Sequence, residues 1–301
     1  MEKYKKTIVV FGCTGTVGKL VLEKLLQEDC YVRGILRHPR RSYPVPLNRY
    51  DQLTYLSANL ANPKEVEAAC AFADAVFLLT ATHPDQVTHE TNVIDAAKKS
   101  GIQRLIKLSA PDIKPIDLVA VAKWHRKIEI HLEKSGMEYC CLRPQAFMQN
   151  WERNTFTIKK FGKFFGIMQD APRNYIDARD VAETAVKFLL QKEPMSYKSV
   201  ALAGPEAINH YEMAERLTRV TGRKIEYVNI TKTKFIQILT KRAKLPLWLA
   251  HHIIELDELA VKIPEPNMDS TERFLNKKPR LMNAYLQEQK QVFAKEVLWK
   301  I

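Results

Sequence analysis

Two hydrophobic periods alternate through the first half of this chain. Short apolar runs predict buried strands, and longer stretches with apolar residues at helical spacing predict amphipathic helices. The predicted strands are Thr7–Phe11, Tyr31–Arg37, Leu53–Ser57, Ala75–Thr80, Arg104–Ser109 and Met137–Leu142. The predicted helices are the segment that starts at Val17, then Pro63–Phe72, Gln86–Ser100 and Lys123–Ser135. Because strand and helix alternate, the pattern predicts an α/β fold with a doubly wound parallel sheet.

The pattern changes after about residue 150. Glycines and aromatic residues gather in Phe161–Gly166, which predicts a loop or a short strand. Further helices are expected at Asp177–Leu190, His210–Thr221 and Thr231–Ala250, with strands at Ser199–Leu202 and Lys224–Ile230. We therefore expect a first domain over residues 1–150, to which later segments cross back. A smaller C-terminal α/β lobe for substrate or partner is expected over residues 151–301.

A glycine pattern separates the first predicted strand from the first predicted helix. Gly12, Gly15 and Gly18 follow a GxxGxxG spacing, which differs from the common GxGxxG fingerprint. Glycines let the backbone turn sharply and approach a pyrophosphate, whose charge the helix N-terminus favours. The alternative is a tight strand–helix turn without a ligand. The residues predicted to contact a dinucleotide here are Gly12, Thr14, Gly15, Thr16, Val17 and Gly18.

Polar or small residues stand at the ends of the other strands. Ligands of doubly wound sheets bind at the carboxyl ends of the strands, because these ends meet at one edge. The residues predicted to contact the cofactor at these ends are Asn59, Leu60, Thr80, Ala81 and Ser109. Asn59 falls where a polar residue often contacts adenine.

The end of the second strand predicts which dinucleotide is bound. An acidic residue at this place holds the ribose 2′-hydroxyl of NAD, whereas an arginine accommodates the 2′-phosphate of NADP. Arg37 stands there, Arg40 and Arg41 follow closely, and the segment contains no acid. A guanidinium matches a phosphate well, so NADP(H) is favoured over NAD(H). A merely solvated basic loop is the alternative.

Composition narrows the class of protein. The chain has 301 residues, 46% of them hydrophobic, and a net charge of +13. The charge could suit an acidic partner or nucleic acid, but no recognition motif accompanies it, so a solvated basic surface is favoured. No long apolar run predicts a membrane span, and the first residues lack the apolar core of a signal peptide. Five cysteines without ligand spacing predict free thiols, no metal site and a cytoplasmic protein. The oligomeric state is left open.

Several motifs occur together along nearly the whole chain. They are Gly12-x-x-Gly15-x-x-Gly18, Trp124-His125-x-x-x-Glu129, Leu142-Arg143-Pro144-x-x-Phe147-Met148-x-Asn150, Tyr175-Ile176-Asp177-x-Arg179-Asp180-Val181-Ala182 and Leu202-x-Gly204-Pro205-Glu206. In this order the chain resembles the NmrA-like family of atypical short-chain dehydrogenase/reductases. The resemblance implies an NADP(H)-binding Rossmann domain and a small C-terminal lobe. Family members include quinone and aromatic-substrate reductases, and regulators that bind dinucleotide without turning it over.

One departure from the wider superfamily affects the chemistry. Standard short-chain dehydrogenases use Tyr-x-x-x-Lys, in which the tyrosine donates a proton and the lysine holds the nicotinamide ribose. Aligned through Glu129, the lysine place holds His125 and the tyrosine place holds Val121. His125 could hold a ribose hydroxyl, donate a proton, or only pack the helix. Ser109 matches the family's catalytic or substrate-facing serine, but could equally be an ordinary strand-end hydroxyl.

Two functions remain open at this point. The first is an NADPH-dependent reductase of a small apolar acceptor such as a quinone, which needs little acid catalysis because the product charge is delocalised. The aromatic residues that would form walls for such a ligand, or simply the core of the lobe, are Phe147, Trp151, Phe161, Phe164 and Phe165. The second is a catalytically silent NADP(H) sensor that binds a protein partner.

Overall fold

The chain forms two compact units that interleave along the sequence. A computed structural model describes residues 4–38, 43–46, 50–112, 119–263, 265 and 270–294. Unit 1 comprises residues 1–112, Val121–Pro144 and Ala178–Leu202, and unit 2 comprises residues 113–120, Gln145–Asp177 and 203–301. The chain therefore leaves unit 1 at Gln145, returns to it at Ala178 and leaves it again at Ala203.

Twelve strands and twelve α-helices are described, with a 3-10 helix at Met148–Asn154 and a π-helical turn at Ile238–Arg242. The strands are β1 (Lys6–Phe11), β2 (Cys30–Leu36), β3 (Leu53–Ser57), β4 (Ala75–Leu78), β5 (Arg104–Leu108), β6 (Glu138–Pro144), β7 (Ala146–Phe147), β8 (Lys163–Gly166), β9 (Arg173–Ile176), β10 (Ser199–Leu202), β11 (Ala207–Ile208) and β12 (Glu226–Asn229). The helices are α1 (Thr16–Leu25), α2 (Pro63–Cys70), α3 (Gln86–Lys99), α4 (Ala120–Ser135), α5 (Thr155–Phe161), α6 (Ala178–Leu190), α7 (His210–Thr221), α8 (Lys232–Gln237), α9 (Leu247–Lys262), α10 (Ser270–Leu275), α11 (Met282–Glu288) and α12 (Lys290–Phe293).

Unit 1 is built on a seven-stranded sheet in the order β10-β6-β5-β4-β1-β2-β3. Every pair of neighbouring strands is parallel. The strand order reverses between β1 and β4, where a doubly wound sheet opens its ligand crevice. The predicted α/β fold with a doubly wound parallel sheet is confirmed.

Helices cover both faces of this sheet. On one face, Val9 and Phe11 pack into a core with side chains of α2, α3 and α4, among them Val66, Val93 and Ile128. Ile8 and Val10 alternate with them along β1 and are also fully buried. α1 and α6 pack against each other. Burial on both faces explains why the strands appear in the sequence as continuous apolar runs.

Unit 2 holds two small sheets among helices. One sheet has the order β11-β9-β7, and the other pairs β12 with β8. A core of Trp151, Phe164, Tyr175, Met213 and further apolar residues from these elements holds the unit together. The segment Phe161–Gly166, predicted as a loop or a short strand, contributes the strand β8. Unit 2 thus combines short strands with helices, and the predicted division of the chain at residue 150 stays a prediction.

The prediction of one helix over Thr231–Ala250 is wrong. Thr231 caps the short helix α8 through its side chain, and a single π-helical turn follows at Ile238–Arg242. Lys244 then takes a positive φ of 57°, and α9 begins only after Pro246. A left-handed residue ends a helix, and proline starts one readily because its missing N–H is not needed there. The apolar spacing continued across the break, so periodicity alone did not reveal it.

The cysteines of this fold are buried thiols. All five cysteines are buried and none forms a disulfide. Burial raises the pKa of Cys30 to about 11 and of Cys70 and Cys140 to about 12, so these groups are thiols rather than reactive thiolates.

None of the helices described above is long and apolar enough to cross a bilayer. Within the described ranges, no group of three His, Cys, Asp or Glu residues could hold a metal ion.

Candidate cofactor and active site

Two of the three motif glycines are required by the protein's own backbone. Gly12 directly follows β1 and has a φ of 73°. A Cβ on Gly12 would stand 2.4 Å from the carbonyl oxygen of Leu79, and a Cβ on Gly18 would stand 2.1 Å from the carbonyl oxygen of Gly12. Both distances are too short for any side chain, so these glycines allow β1, α1 and the end of β4 to pack closely.

Gly15 is different, because the protein itself leaves room for a side chain there. The nearest atom to a Cβ on Gly15 would be the carbonyl oxygen of Gly12, at 3.4 Å. Gly15 is exposed and occupies the position just before α1, where no side chain caps the helix and no acid stands in the first turn. Thr14 and Thr16 are exposed beside it, whereas Val17 is buried and presents only its backbone. An open, uncapped helix start of this kind fits a phosphate group.

Arg37 lies where the sequence places it, immediately after β2. Its side chain is exposed, and the neighbouring residues Leu36 and His38 carry no negative charge. Burial is the main cause that lowers the pKa of His89 on α3, and the charge of Arg37 lowers it further. Arg40 and Arg41 lie outside the described residues.

The side-chain oxygen of Asn59, which follows β3, makes a hydrogen bond within its own loop. Its side-chain oxygen accepts a hydrogen bond from the backbone N–H of Ala61 at 3.0 Å, which is a local turn interaction. The carbonyl of Leu60 accepts a hydrogen bond from Asn92 on α3 at 2.8 Å, and the Leu60 side chain packs against the core. Contacts of Asn59 and Leu60 with a cofactor stay predictions.

The hydroxyl of Thr80, just past β4, points into a buried polar cluster. It donates to Oε1 of Glu90 on α3 at 2.8 Å. The amide of Gln86 donates to the same oxygen at 2.9 Å. Glu90 is completely buried, while Ala81 next to Thr80 is exposed. The predicted cofactor contact of Thr80 would therefore use its oxygen lone pairs, since its proton is already engaged.

Lys107 on β5 occupies the centre of this cluster. Its ammonium Nζ lies 2.5 Å from Oε2 of Glu90, and both side chains have no exposed surface. It also donates to the carbonyl of Leu108 at 3.0 Å and lies 3.2 Å from Nδ1 of His125 on α4. A charge without exposed surface is rare in proteins unless it is paired, and here the pair is close.

A second network lies one strand step further along. Lys107 and Ser109 are two residues apart, so they point to the same side of the sheet. The Ser109 hydroxyl donates to Oε1 of Glu129 on α4 at 2.7 Å. Arg143 on β6 holds both carboxylate oxygens of Glu129, at 3.1 and 2.6 Å. Burial alone would raise the pKa of Glu129, but the hydrogen bonds from Arg143 and Ser109 outweigh it and hold the pKa below its usual value.

Helix α4 brings these two networks together. His125 and Glu129 are one turn apart; His125 contacts Lys107 on β5, and Glu129 contacts Ser109, the residue after β5. The predicted common side for these two residues is therefore seen in their contacts. Val121, at the place of the superfamily's tyrosine, is a buried apolar residue, and Lys123 points to an exposed position.

Sequence reasoning missed Lys107, Glu90 and Gln86. One signal was available: a lysine in the middle of a strand whose other residues are all buried needs a partner of opposite charge. The partner could not be found from sequence, because Glu90 lies 17 residues away on another element. By contrast, Gly12, Thr80 and Ser109 all follow neighbouring strands of the sheet, as predicted.

The aromatic residues predicted as ligand walls divide into two groups. Trp151 and Phe164 are buried in the core of unit 2, with their rings edge to face at 5.1 Å between centroids. Phe147 and Phe165 are half-buried, and Phe161 is exposed and packs against Phe156. Trp151 and Phe164 thus stabilise the lobe, and only the other three have surface to offer.

The sheet order and the glycine turn define the class of protein. A doubly wound parallel sheet whose first strand leads through a glycine turn into an uncapped helix is the architecture of dinucleotide-binding Rossmann proteins. Residues 4–286 match the NmrA-like family, and the chain belongs to that family. The resemblance drawn from the motifs is confirmed.

Known relatives include enzymes and a regulator. The NAD(P)H azoreductase of Xenophilus azovorans is 30% identical over 253 residues, covering 84% of this chain and 87% of that protein. The NADPH-dependent quinone oxidoreductase of Escherichia coli, complexed with NADPH, superposes with a TM-score of 0.82 at 21% identity, covering 93% of this chain and 99% of that one. The negative transcriptional regulator NmrA, in complex with NADP, gives 0.79 at 16% identity, covering 96% and 97%. The two solved structures share the fold of this chain.

Proposed function

We propose that this protein is an NADPH-dependent oxidoreductase that reduces a small, planar, apolar acceptor such as a quinone. The observation that carries the proposal is the open start of α1, where Gly15 leaves space that the protein itself does not fill. When bound, NADPH supplies a hydride. The protein supplies binding at the glycine turn and the imidazole of His125 on α4 beside the end of β5.

The choice of NADPH over NADH rests on Arg37. The guanidinium is exposed at the end of β2, next to the glycine turn in the sheet order. It would hold the 2′-phosphate of the cofactor in a charge-assisted contact. No acid stands at this strand end to bind a free ribose 2′-hydroxyl instead.

The choice of acceptor rests on the absence of the superfamily's tyrosine acid from α4. Val121 has no proton to give, so the tyrosine acid of related dehydrogenases has no counterpart on this helix. Ser109 donates its proton to Glu129, and Thr80 donates its proton to Glu90. His125 is then the side chain of this cluster best suited to donate to an acceptor oxygen. A quinone needs little more, because its reduced form spreads the negative charge over the ring, and the names of the azoreductase and quinone reductase relatives agree with such acceptors.

The test is NADPH oxidation with a panel of benzoquinones, naphthoquinones and azo dyes, beside NADH with the same panel. We expect oxidation of NADPH by at least one planar acceptor, with NADH less effective at equal concentration. Tight NADPH binding without oxidation by any acceptor would reject the reductase function.

A second candidate, a sensor of the NADP(H) pool, is favoured by Val121, which removes the usual acid. The affinity of such a protein for its partner must differ between the NADP+-bound and NADPH-bound states. A partner that binds both states equally well would not respond to the cofactor. Partner capture with NADP+, with NADPH and without cofactor tests this function. It requires a partner whose recovery changes among the three conditions; identical recovery would reject it.

A further inference from the structure

We propose that Lys107 is a positioning residue that fixes the tautomer of His125, so that the imidazole proton resides on Nε2. The ammonium of Lys107 lies 3.2 Å from Nδ1 of His125. The identity of the proton-bearing nitrogen decides which atom of the ring can donate a hydrogen bond.

The assignment follows from the number of donors and acceptors at Nζ. A lysine ammonium has three N–H donors and no acceptor. Among the residues that the structure describes, its three hydrogen-bond neighbours are Oε2 of Glu90 at 2.5 Å, the carbonyl of Leu108 at 3.0 Å and Nδ1 of His125 at 3.2 Å. The first two can only accept, and each takes one N–H. The third N–H is left for Nδ1, which must then present a lone pair, and the ring proton is on Nε2.

Glu90 is the buried partner that holds the Lys107 ammonium in this place. Its carboxylate accepts hydrogen bonds from Thr80 at 2.8 Å and Gln86 at 2.9 Å, in addition to the contact with Lys107. Three hydrogen-bond donors therefore surround this one side chain. Neither side chain of the ion pair has exposed surface, so bulk water cannot replace the contact between them. Glu90, Lys107 and His125 thus form a chain that runs from α3 through β5 to α4.

The consequence is that His125 acts as a neutral donor through Nε2–H. An ammonium group is present beside the helix as in Tyr-x-x-x-Lys enzymes, but here it comes from the strand β5 and acts through the imidazole. That this Nε2–H serves a ribose hydroxyl or an acceptor oxygen rests on the proposed function. The tautomer itself does not, because it is set by the protein alone.

The experiment is NMR of cofactor-free protein with 15N-labelled histidine, at about pH 8, where an ordinary histidine is neutral. Two-bond couplings from the ring protons to nitrogen distinguish a protonated from an unprotonated Nδ1, and His125 is assigned by its loss in His125→Gln. A Lys107→Met/Glu90→Gln double variant removes both charges with little change of volume. Lys127→Met on the exposed side of α4 is the matched control.

We expect the unmodified protein and Lys127→Met to show His125 with the proton on Nε2 alone. In the double variant we expect a mixture of both tautomers. A proton on Nδ1 in the unmodified protein, or an unchanged Nε2–H tautomer in the double variant, would overturn the proposal. The spectrum of the unmodified protein decides the first point even if the double variant does not fold. A fixed tautomer in a protein that oxidises no NADPH would reject the reductase function and leave this inference standing.

Discussion

In unit 1, the carboxyl ends of β1 and β2 differ from the carboxyl ends of β4, β5 and β6 in how their polar groups are paired. At β1 and β2 the surface is open: Gly15 carries no side chain, α1 is uncapped and Arg37 is exposed. At β4, β5 and β6 the polar side chains are buried and paired with one another, as in Glu90–Lys107 and Glu129–Arg143. The open half offers an exposed arginine and a helix start without a side-chain cap to a ligand, whereas the polar side chains of the paired half already bind one another.

This difference separates binding from chemistry. Changes in the open half should alter ligand affinity and leave the fold intact. Changes in the paired half should alter the stability of unit 1 and the protonation of His125, because a buried group that loses its partner has no water to replace it. The predictions below test this division.

The largest effect is expected from breaking the buried ion pair. Lys107→Met leaves Glu90 without its partner and should lower the free energy of unfolding by about 3–5 kcal/mol. Lys107→Met/Glu90→Gln should cost much less, because no unpaired charge stays buried. Denaturant unfolding of both variants, with Lys127→Met as the exposed control, measures the difference. Equal stability of the single and double variants would show that the pair is not a coupled unit.

The open half should respond in binding alone. Gly15→Val fills the space over the start of α1 and should weaken NADPH and NADH binding by about a hundredfold or more, about 2.7 kcal/mol. The fold should survive, since a Cβ there approaches only the Gly12 carbonyl, at 3.4 Å. Gly18→Val is the contrasting variant, because its Cβ would stand 2.1 Å from the same carbonyl and should destabilise the protein. Calorimetric titration and thermal unfolding separate the two effects; normal binding by folded Gly15→Val would contradict the account.

The Glu129 network should give a pH-dependent contribution to stability. The pKa of Glu129 is lower in the folded protein than its ordinary value of 4.5. Its contribution is therefore fully present above that value and is lost as the pH falls through the lowered pKa. Glu129→Gln should lower the free energy of unfolding at pH 7 by about 2 kcal/mol, a usual value for hydrogen bonds to a charged group. This difference from the unmodified protein should shrink in acid; a constant difference down to about pH 3 would show that the charge of Glu129 contributes nothing.

The smallest effect concerns cofactor choice. NADPH should bind about tenfold more tightly than NADH, about 1.4 kcal/mol, and Arg37→Ala should remove most of this preference. Arg219→Ala, an exposed arginine on α7 in unit 2, is the matched control and should keep it. Equal affinity of the unmodified protein for both cofactors would refute the assignment of Arg37.

The sequence predicted the open half far better than the paired half. Gly12, Gly15 and Gly18 are local in sequence, and their spacing alone indicates the turn and its ligand class. The partners of Lys107 and Ser109 come from α3 and α4, so only the folded sheet shows that they meet. The break before α9 was missed for a related reason, since the positive φ of Lys244 leaves no mark in hydrophobic periodicity.

In the proposed reaction, the protein passes a hydride from NADPH to an apolar acceptor beside the neutral donor His125. A single-turnover reaction tests it most directly: protein in excess is loaded with NADPH, a quinone is added, and nicotinamide absorbance is followed. The account predicts complete NADPH oxidation by the unmodified protein. For His125→Ala it predicts a rate about a hundredfold lower at saturating cofactor. An equal rate in both proteins, or NADPH that stays unoxidised in the unmodified protein, would contradict it.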